Sequence, residues 1–279
     1  MICNEISAGY FTKSFQENGY VVIPGVYSMD SIFQARKIFD DAFKRELWKH
    51  SCYDSPEIIN DIYRHFPALA SLIFNSEYFQ AIRYLIGENM VWLPECAVHR
   101  NRYVPWHKDT TAQEINGVKS HYDNEGAMLQ VAVYFQDNST STGGGVTVIP
   151  GSHFQKDRFI EMYRTGILTK LGRKFQKLLG LSVFHRIERR KQYVDIRSNA
   201  GDLVIFDLRI DHRSTLPKTK VETDKYAVFN TFGNPTTALS DYFEFMKFRK
   251  EPYYKFLQQF KVPDIIKQIA KHHEIKVWE

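Results

Sequence analysis

The chain has 279 residues, 43% of them apolar and 25% charged, which is enough apolar material for a sizeable core and too much for a disordered chain. No run approaches the roughly eighteen apolar residues of a membrane helix, and residues 1–15 carry Glu5 and Lys13 with no apolar signal region. Cys3, Cys52 and Cys96 are odd in number and form no C-x-x-C pair, so they read as free thiols of a cytoplasmic, soluble protein rather than a disulfide framework.

The first third predicts helices. Ala8 to Glu17 reads as a short helix ending near Gly19, followed by an apolar strand, Tyr20 to Ile23, that Pro24-Gly25 stops. Ser28 or Asp30 caps a helix running to about Trp48, with Ile32, Ala35, Ile38, Phe39 and Ala42 at helical spacing. Pro67 opens another, striped by Leu69, Ile73, Phe79, Ile82 and Leu85 and closed at Gly87.

After Gly87 the period changes to that of strands. Met90 to Leu93, Cys96 to Val98, Ala127 to Phe135, Gly145 to Ile149, Tyr193 to Ile196, Leu203 to Phe206 and Tyr226 to Phe232 are the expected strands. Helices followed by many short strands predict an α+β layout on a double-sheet barrel or jelly roll. Residues 154–191 carry eleven Lys or Arg against three Asp or Glu, a local +8 within an overall +5, and read as a basic helical insertion. Such a segment is a solvated helix pair, or a surface that steers an anionic substrate. The tail, about 238–279, is again helical, broken at Pro252 and Pro263. With no repeats, low-complexity tracts or Gly/Ser linkers, residues 1–279 read as a single domain.

The chemistry centres on Pro105-Trp106-His107-Lys108-Asp109. His-x-Asp alone is a weak sign, and the chain has a second at His121-Tyr122-Asp123. The first follows an extended apolar approach, where strand alternation puts His107 and Asp109 on one face. The second sits among Asn116, Gly117, Asn124, Glu125 and Gly126, in a loop-like setting. A third ligand is expected from another strand. His212 follows the buried run Leu203 to Phe206, and its rivals are His99, His153 and His185. Two imidazoles and a carboxylate make the 2-His-1-carboxylate set that holds non-haem Fe(II) and leaves positions open for oxygen chemistry.

The order of motifs resembles the phytanoyl-CoA dioxygenase family of Fe(II)/2-oxoglutarate oxygenases. The resemblance rests on Phe15 to Ile23, Pro105 to Asp109, Gly143 to His153 (GGGVTVIPGSH), Gly201 to Phe206, and His212-Arg213-Ser214. It spans roughly Phe11 to Gly233, and the glycine-rich strand ending in Pro-Gly-Ser-His is its most specific part. It implies a double-stranded β-helix core of the jelly-roll or cupin type, with flanking helices and a helical insertion. It also implies iron at His107, Asp109 and His212, with 2-oxoglutarate and O2 as co-substrates.

An arginine of the last core strand usually holds the distal carboxylate of 2-oxoglutarate in that family. Its expected position, 223, is Thr here, and a loop two residues longer places Lys225 there instead. Lys225 can hold a carboxylate as a point charge without the bidentate fork. Arg209 and Arg213 are nearby alternatives, Ser214 matches a hydroxyl often supplied to the same group, and Gln130 is a candidate polar contact to the 2-oxo acid. Tyr103, Trp106 and Tyr134 are candidates for the pocket wall or for sheet packing.

The resemblance implies turnover of 2-oxoglutarate to succinate and CO2 with oxidation of a second substrate. Because Asp109 occupies the carboxylate position, which halogenating relatives replace with Ala or Gly, the expected outcome is hydroxylation or a related oxidation. The expected partner is a small molecule, with neither nucleic acid nor membrane. The competing expectations are a cupin-like metal-binding protein without oxygenase activity, and an oxygenase whose basic segment docks a macromolecule.

Overall fold

The apolar runs fold into two facing sheets, with the N-terminal helices on the outer side of the larger one and the helix Thr237–Lys247 packed against Val91, Leu93 and Met128 on its other face. The computed structural model describes residues 5–50, 55–118, 126–158, 160, 192–220, 222–249 and 252–278. Among them, no helix is long and apolar enough to cross a membrane.

Helix α1 (Glu5–Asn18) ends at Gly19, whose φ of +78° suits the turn into strand β1 (Tyr20–Ile23). Helix α2 (Met29–Lys44) is N-capped by Ser28, whose side chain accepts from the Ser31 N–H at 3.2 Å. It stops at Lys44, short of the expected Trp48, and a 3-10 turn over Leu47–His50 follows. Strand β2 (Ile58–Asn60) and helix α3 (Ile62–His65) come next.

The single helix expected from Pro67 to Gly87 is two, α4 (Pro67–Ile73) and α5 (Ser76–Ile86). Asn75 causes the break. Its side chain accepts from the Tyr78 N–H at 2.7 Å and starts a new helix inside one continuous apolar stripe.

Strand β3 (Val91–Arg100) joins the two strands expected there across an irregularity at Pro94 and Glu95. Helix α6 (Thr111–Ile115), strand β4 (Met128–Tyr134) and strand β5 (Val146–Val148) follow. Strands β6 (Val194–Asp195), β7 (Leu203–Asp207), β8 (His212–Ser214) and β9 (Tyr226–Gly233) complete the core. The basic insertion expected over 154–191 falls mostly on residues 159 and 161–191, outside the described residues. The tail supplies α7 (Thr237–Lys247), a 3-10 segment from Pro252 to Gln259 and α8 (Asp264–His272), with Pro252 and Pro263 at the junctions. It is not wholly helical, because strand β10 (Lys276–Val277) pairs in parallel with Val91 and Trp92.

The larger sheet runs β1-β7-β4-β9-β3-β10, with β2 also on β3, and the smaller runs β6-β5-β8. Strand alternation then assigns the faces. Leu129, Val131 and Val133 of β4, Leu203 and Ile205 of β7, and Val228 of β9 pack outward against Phe39, Tyr78 and Phe79 of the helices. Ala132, Tyr134, Val204, Phe206 and Ala227 face inward, against Val146 and Val148 of the smaller sheet. This is a double-stranded β-helix, α+β overall, whose interior is shared by the two sheets.

Gly201 opens β7 with φ +97°, and a Cβ there would lie 2.6 Å from the Tyr27 carbonyl oxygen. That same stretch receives the Tyr27 N–H on the Gly201 carbonyl at 3.0 Å. Gly201→Ala is therefore expected to lower stability by about 1–3 kcal/mol, read as a shift in the urea midpoint. An unchanged midpoint would contradict this account of the turn.

Candidate metal centre

His107 and His212 meet as partners in an antiparallel bridge. The His107 N–H donates to the His212 carbonyl at 2.9 Å, and the His212 N–H returns to the His107 carbonyl at 2.8 Å. His107 therefore extends the edge of β8 as a bridge residue and does not lie within a regular strand, as the alternation argument assumed. Asp109 falls in a turn, with its N–H on the Leu208 carbonyl at 3.0 Å, yet its side chain still turns to the same point as His107.

Asp109 Oδ1 lies 3.5 Å from His107 Nε2 and 3.8 Å from His212 Nε2. One ligand atom from each of the three residues lies within 4.8 Å of the others, a span that one cation with bonds of about 2.0–2.2 Å can bridge. The other imidazole nitrogens are tied back. His107 Nδ1 donates to the Pro105 carbonyl at 2.7 Å and His212 Nδ1 to the Ile210 carbonyl at 3.0 Å. Each tie fixes the tautomer that leaves Nε2 with a lone pair for a metal.

The protonation pattern follows the geometry. Burial opposes a charge on His107, but the Asp109 carboxylate outweighs it and raises the imidazole pKa. Burial likewise opposes the Asp109 charge, and the two imidazoles still hold that carboxyl below its usual range. Burial, then the His107 charge, pushes His212 down to about 4.

Behind the ligands lies a buried ion pair. Lys108 and Asp211, each the chain neighbour of a ligand, are 1% and 0% exposed, with Nζ and Oδ1 3.5 Å apart. Lys108 Nζ also donates to the Ser152 carbonyl at 2.7 Å and to the Arg209 carbonyl. Ser152 Oγ accepts from the Asp211 N–H at 2.8 Å. The Pro-Gly-Ser-His turn thus clamps the ligand segments from outside. Its histidine is structural, since His153 packs on Gly19, where a Cβ would lie 2.5 Å from Nδ1. His185 and the His121–Asp123 pair lie outside the described residues.

The three ligand candidates face a cavity of about 340 Å³ between the sheets. Its wall includes Lys225, Ser214 and Gln130, as well as Tyr103 and Tyr134. Lys225 is 8% exposed, and its Nζ donates to the Gly143 carbonyl at 2.8 Å and the Asp137 carbonyl at 3.4 Å. Its stem crosses Gly144, where a Cβ would lie 2.3 Å from Lys225 Cδ, so the glycine run makes room for this side chain. Ser214 Oγ accepts the Val104 N–H at 2.9 Å and directs its proton at the Arg102 carbonyl at 3.4 Å. Gln130 Oε1 accepts from the Thr231 hydroxyl at 3.0 Å.

Trp106, by contrast, is buried beneath Arg213, whose guanidinium stands 4.9 Å over its ring. Arg213 reaches the cavity wall, whereas Arg209 is held in an ion pair with Asp207 at 2.7 Å. Thr223 is exposed. Sequence reasoning missed Glu95, Arg102 and Arg249 in the wall. A charged residue in the short gap between two apolar strands was the available signal for Glu95, and the tail offered none for Arg249.

The sequence profile of the phytanoyl-CoA dioxygenase (PhyH) family matches residues 15–220. The chain belongs to that family. No curated protein matches it. Among solved structures, EctD from S. alaskensis with 2-oxoglutarate and 5-hydroxyectoine aligns with a TM-score of 0.59 at 16% identity, over 83% of this chain and 76% of that one. The epimerase SnoN, in complex with Fe3+, alpha ketoglutarate and nogalamycin RO, aligns with a TM-score of 0.56 at 15% identity, over 83% and 85%. EvdMO1 aligns with a TM-score of 0.56 at 17% identity over 82% of this chain, which spans half the length of that one. At such identities the likeness is one of fold. Iron and 2-oxoglutarate, the pair expected from the sequence, are what the EctD and SnoN structures contain.

Two predictions follow from the buried groups. Lys108→Met removes the buried partner of Asp211 and leaves it, among the described residues, only the partly exposed Arg158 at 3.4 Å, so a loss of about 3 kcal/mol is expected, with weaker metal binding. Lys108→Met/Asp211→Leu should recover most of the stability in urea unfolding, and an equally unstable double variant would contradict the pairing. The second concerns His99, whose ring lies 4.8 Å from that of Phe229 and whose Nε2 is buried without a hydrogen-bond partner. Burial, then the Arg102 charge, lowers its pKa from 6.5 to about 3. The unfolded chain therefore binds this proton first, and stability falls as pH drops through 6.5 towards 3. His99→Gln should flatten the fall in urea midpoint between pH 7 and pH 4, and an unchanged slope would contradict it.

Proposed function

We propose that the protein is a non-haem Fe(II)/2-oxoglutarate-dependent dioxygenase that hydroxylates a small-molecule metabolite, releasing succinate and CO2. The convergence of His107, Asp109 and His212 on one point at the cavity wall carries this reading. Their donor set fits ferrous iron, with two neutral imidazole nitrogens and one carboxylate.

His107 Nε2, Asp109 Oδ1 and His212 Nε2 would hold the ion from one side, with the other side open to the cavity. Bound iron supplies oxygen activation and Lewis acidity, and the chain supplies placement. The Nδ1 ties to Pro105 and Ile210 keep both imidazoles in the ligating tautomer. Lys225 is the proposed anchor for the distal carboxylate of 2-oxoglutarate. Two of its three ammonium donors meet backbone carbonyls, and no carboxylate side chain pairs with it as a salt bridge among the described residues. Ser214 lines the same wall, and its hydroxyl fixes the 102–104 segment beside the ligand strand.

Phe206, Phe229 and Tyr134 supply apolar surface to a wall that also carries Glu95, Arg102 and Arg249. Asp109 supports hydroxylation, because it fills the position that a halide would need. A cavity of about 340 Å³ suits a small metabolite.

The test is succinate release from 2-oxoglutarate under air with Fe(II). The wild-type protein should turn over, and His107→Ala and Asp109→Ala should each be inactive. Lys225→Met should raise the KM for 2-oxoglutarate at least about tenfold while metal affinity stays the same. Full activity in either alanine variant would contradict the assignment.

A further inference from the structure

A second polar group stands in the cavity, and neither the metal nor the Lys225 anchor uses it. Strand β3 pairs with β9 at Leu93 opposite Thr231 and resumes at Cys96 opposite Asn230, so Pro94 and Glu95 have no opposite number. Proline lacks the ladder N–H and suits such a bulge. The bulge places Glu95 in the cavity wall.

Glu95 is held by one oxygen only. The Tyr242 hydroxyl donates to Oε2 at 2.8 Å, and the Thr231 hydroxyl lies 3.3 Å from the same atom. Oε1 has no hydrogen-bond partner among the described residues. Gln130 leans on the same Thr231 hydroxyl through Oε1, at 3.0 Å, and its Nε2 likewise has no partner there. Both residues line the cavity with the metal ligands. One free acceptor and one free donor therefore flank a single hydroxyl in the cavity wall.

The location separates this pair from the co-substrate anchor. Thr231 lies six residues along the extended chain from Lys225, about 20 Å at roughly 3.3 Å per residue. Glu95 is instead close enough to the metal carboxylate for the Asp109 charge to act on it. Burial, opposed first by the Tyr242 hydrogen bond, raises the Glu95 pKa to about 7, and Asp109 adds to the rise while Arg249 opposes it.

We propose that Glu95 and Gln130 form the substrate subsite beside the metal, with Gln130 serving the substrate in place of the 2-oxo acid expected from the sequence, and that it recognises an alcohol. The hydroxyl donates its proton to Glu95 Oε1, and its oxygen accepts from Gln130 Nε2. Only a group that both donates and accepts satisfies the pair. Above pH 7, where Glu95 is ionised and only accepts, an ether leaves its Oε1 unmatched. An ammonium offers nothing to the Gln130 N–H and adds positive charge where Arg249 already acts on Glu95. A carboxylate meets the Glu95 charge. This subsite rests on the oxygenase reading above.

The experiment uses full-length protein loaded with Mn(II) and 2-oxoglutarate, which does not turn over. Paramagnetic relaxation of three probes is followed by NMR: 1-butanol, butylammonium and methyl propyl ether. The alcohol should bind at least about tenfold more tightly than either of the others. Glu95→Leu and Gln130→Leu should each erase that preference. Equal binding of the ether or the ammonium to the wild-type protein would overturn the proposal, and so would an unchanged preference in both variants. The wild-type contrast among probes stands whether or not Glu95→Leu folds. Succinate release separates the two levels. A protein that makes no succinate fails the oxygenase reading, whereas one that makes succinate but shows no alcohol preference fails only the subsite.

Discussion

The site depends on one cross-strand pair. His107 and His212 are remote in the chain, yet each gives its backbone N–H to the other's carbonyl. That exchange fixes the two Cα atoms at the spacing of a hydrogen-bonded antiparallel pair, about 5.5 Å. It also puts both side chains on one face, with ring centroids 4.2 Å apart. Asp109 then needs only a turn to bring its carboxylate between them. Backbone geometry alone assembles the arrangement and brings the three candidate ligand atoms within 4.8 Å of one another.

The residues between and beside the ligands serve the opposite face. Lys108 and Asp211 point away from the cavity and pair behind it, where Ser152 ties both segments to the Pro-Gly-Ser-His turn. A buried ion pair adds little net stability by itself, but losing one partner is severe, which makes it a strong constraint on register. On the inner face the glycine run has a parallel task. Gly144 leaves space for the Lys225 stem, so the ammonium enters the cavity wall from the end of β9. The cavity thus has a cationic end and, near the metal, a polar row of Glu95, Thr231 and Gln130.

The candidate ligand set was legible from its pattern, a His-x-Asp after an extended approach and a histidine beyond a buried run, although His107 sits in a bridge and Asp109 in a turn rather than on one strand. Strand β1 was legible for the same reason, as a pure apolar run between glycines. What escaped depends on partners distant in sequence. Asn75 splits one apolar stripe into two helices because its side chain caps locally, a choice that periodicity does not register. Strands β2 and β10 are short edge strands that exist only because β3 offers them a ladder. Glu95 fell in the gap between two expected strands, and its direction is set by the bulge against β9. Ser214, expected at the co-substrate, lies in the cavity wall and also ties the backbone of residues 102–104.

The most direct measurement is a crystal structure of the protein grown without oxygen in the presence of Fe(II) and 2-oxoglutarate. The account predicts one iron bound by His107 Nε2, Asp109 Oδ1 and His212 Nε2, with the co-substrate chelating its open side and its far carboxylate at Lys225. Iron bound elsewhere, or the three side chains turned to separate points, would contradict it.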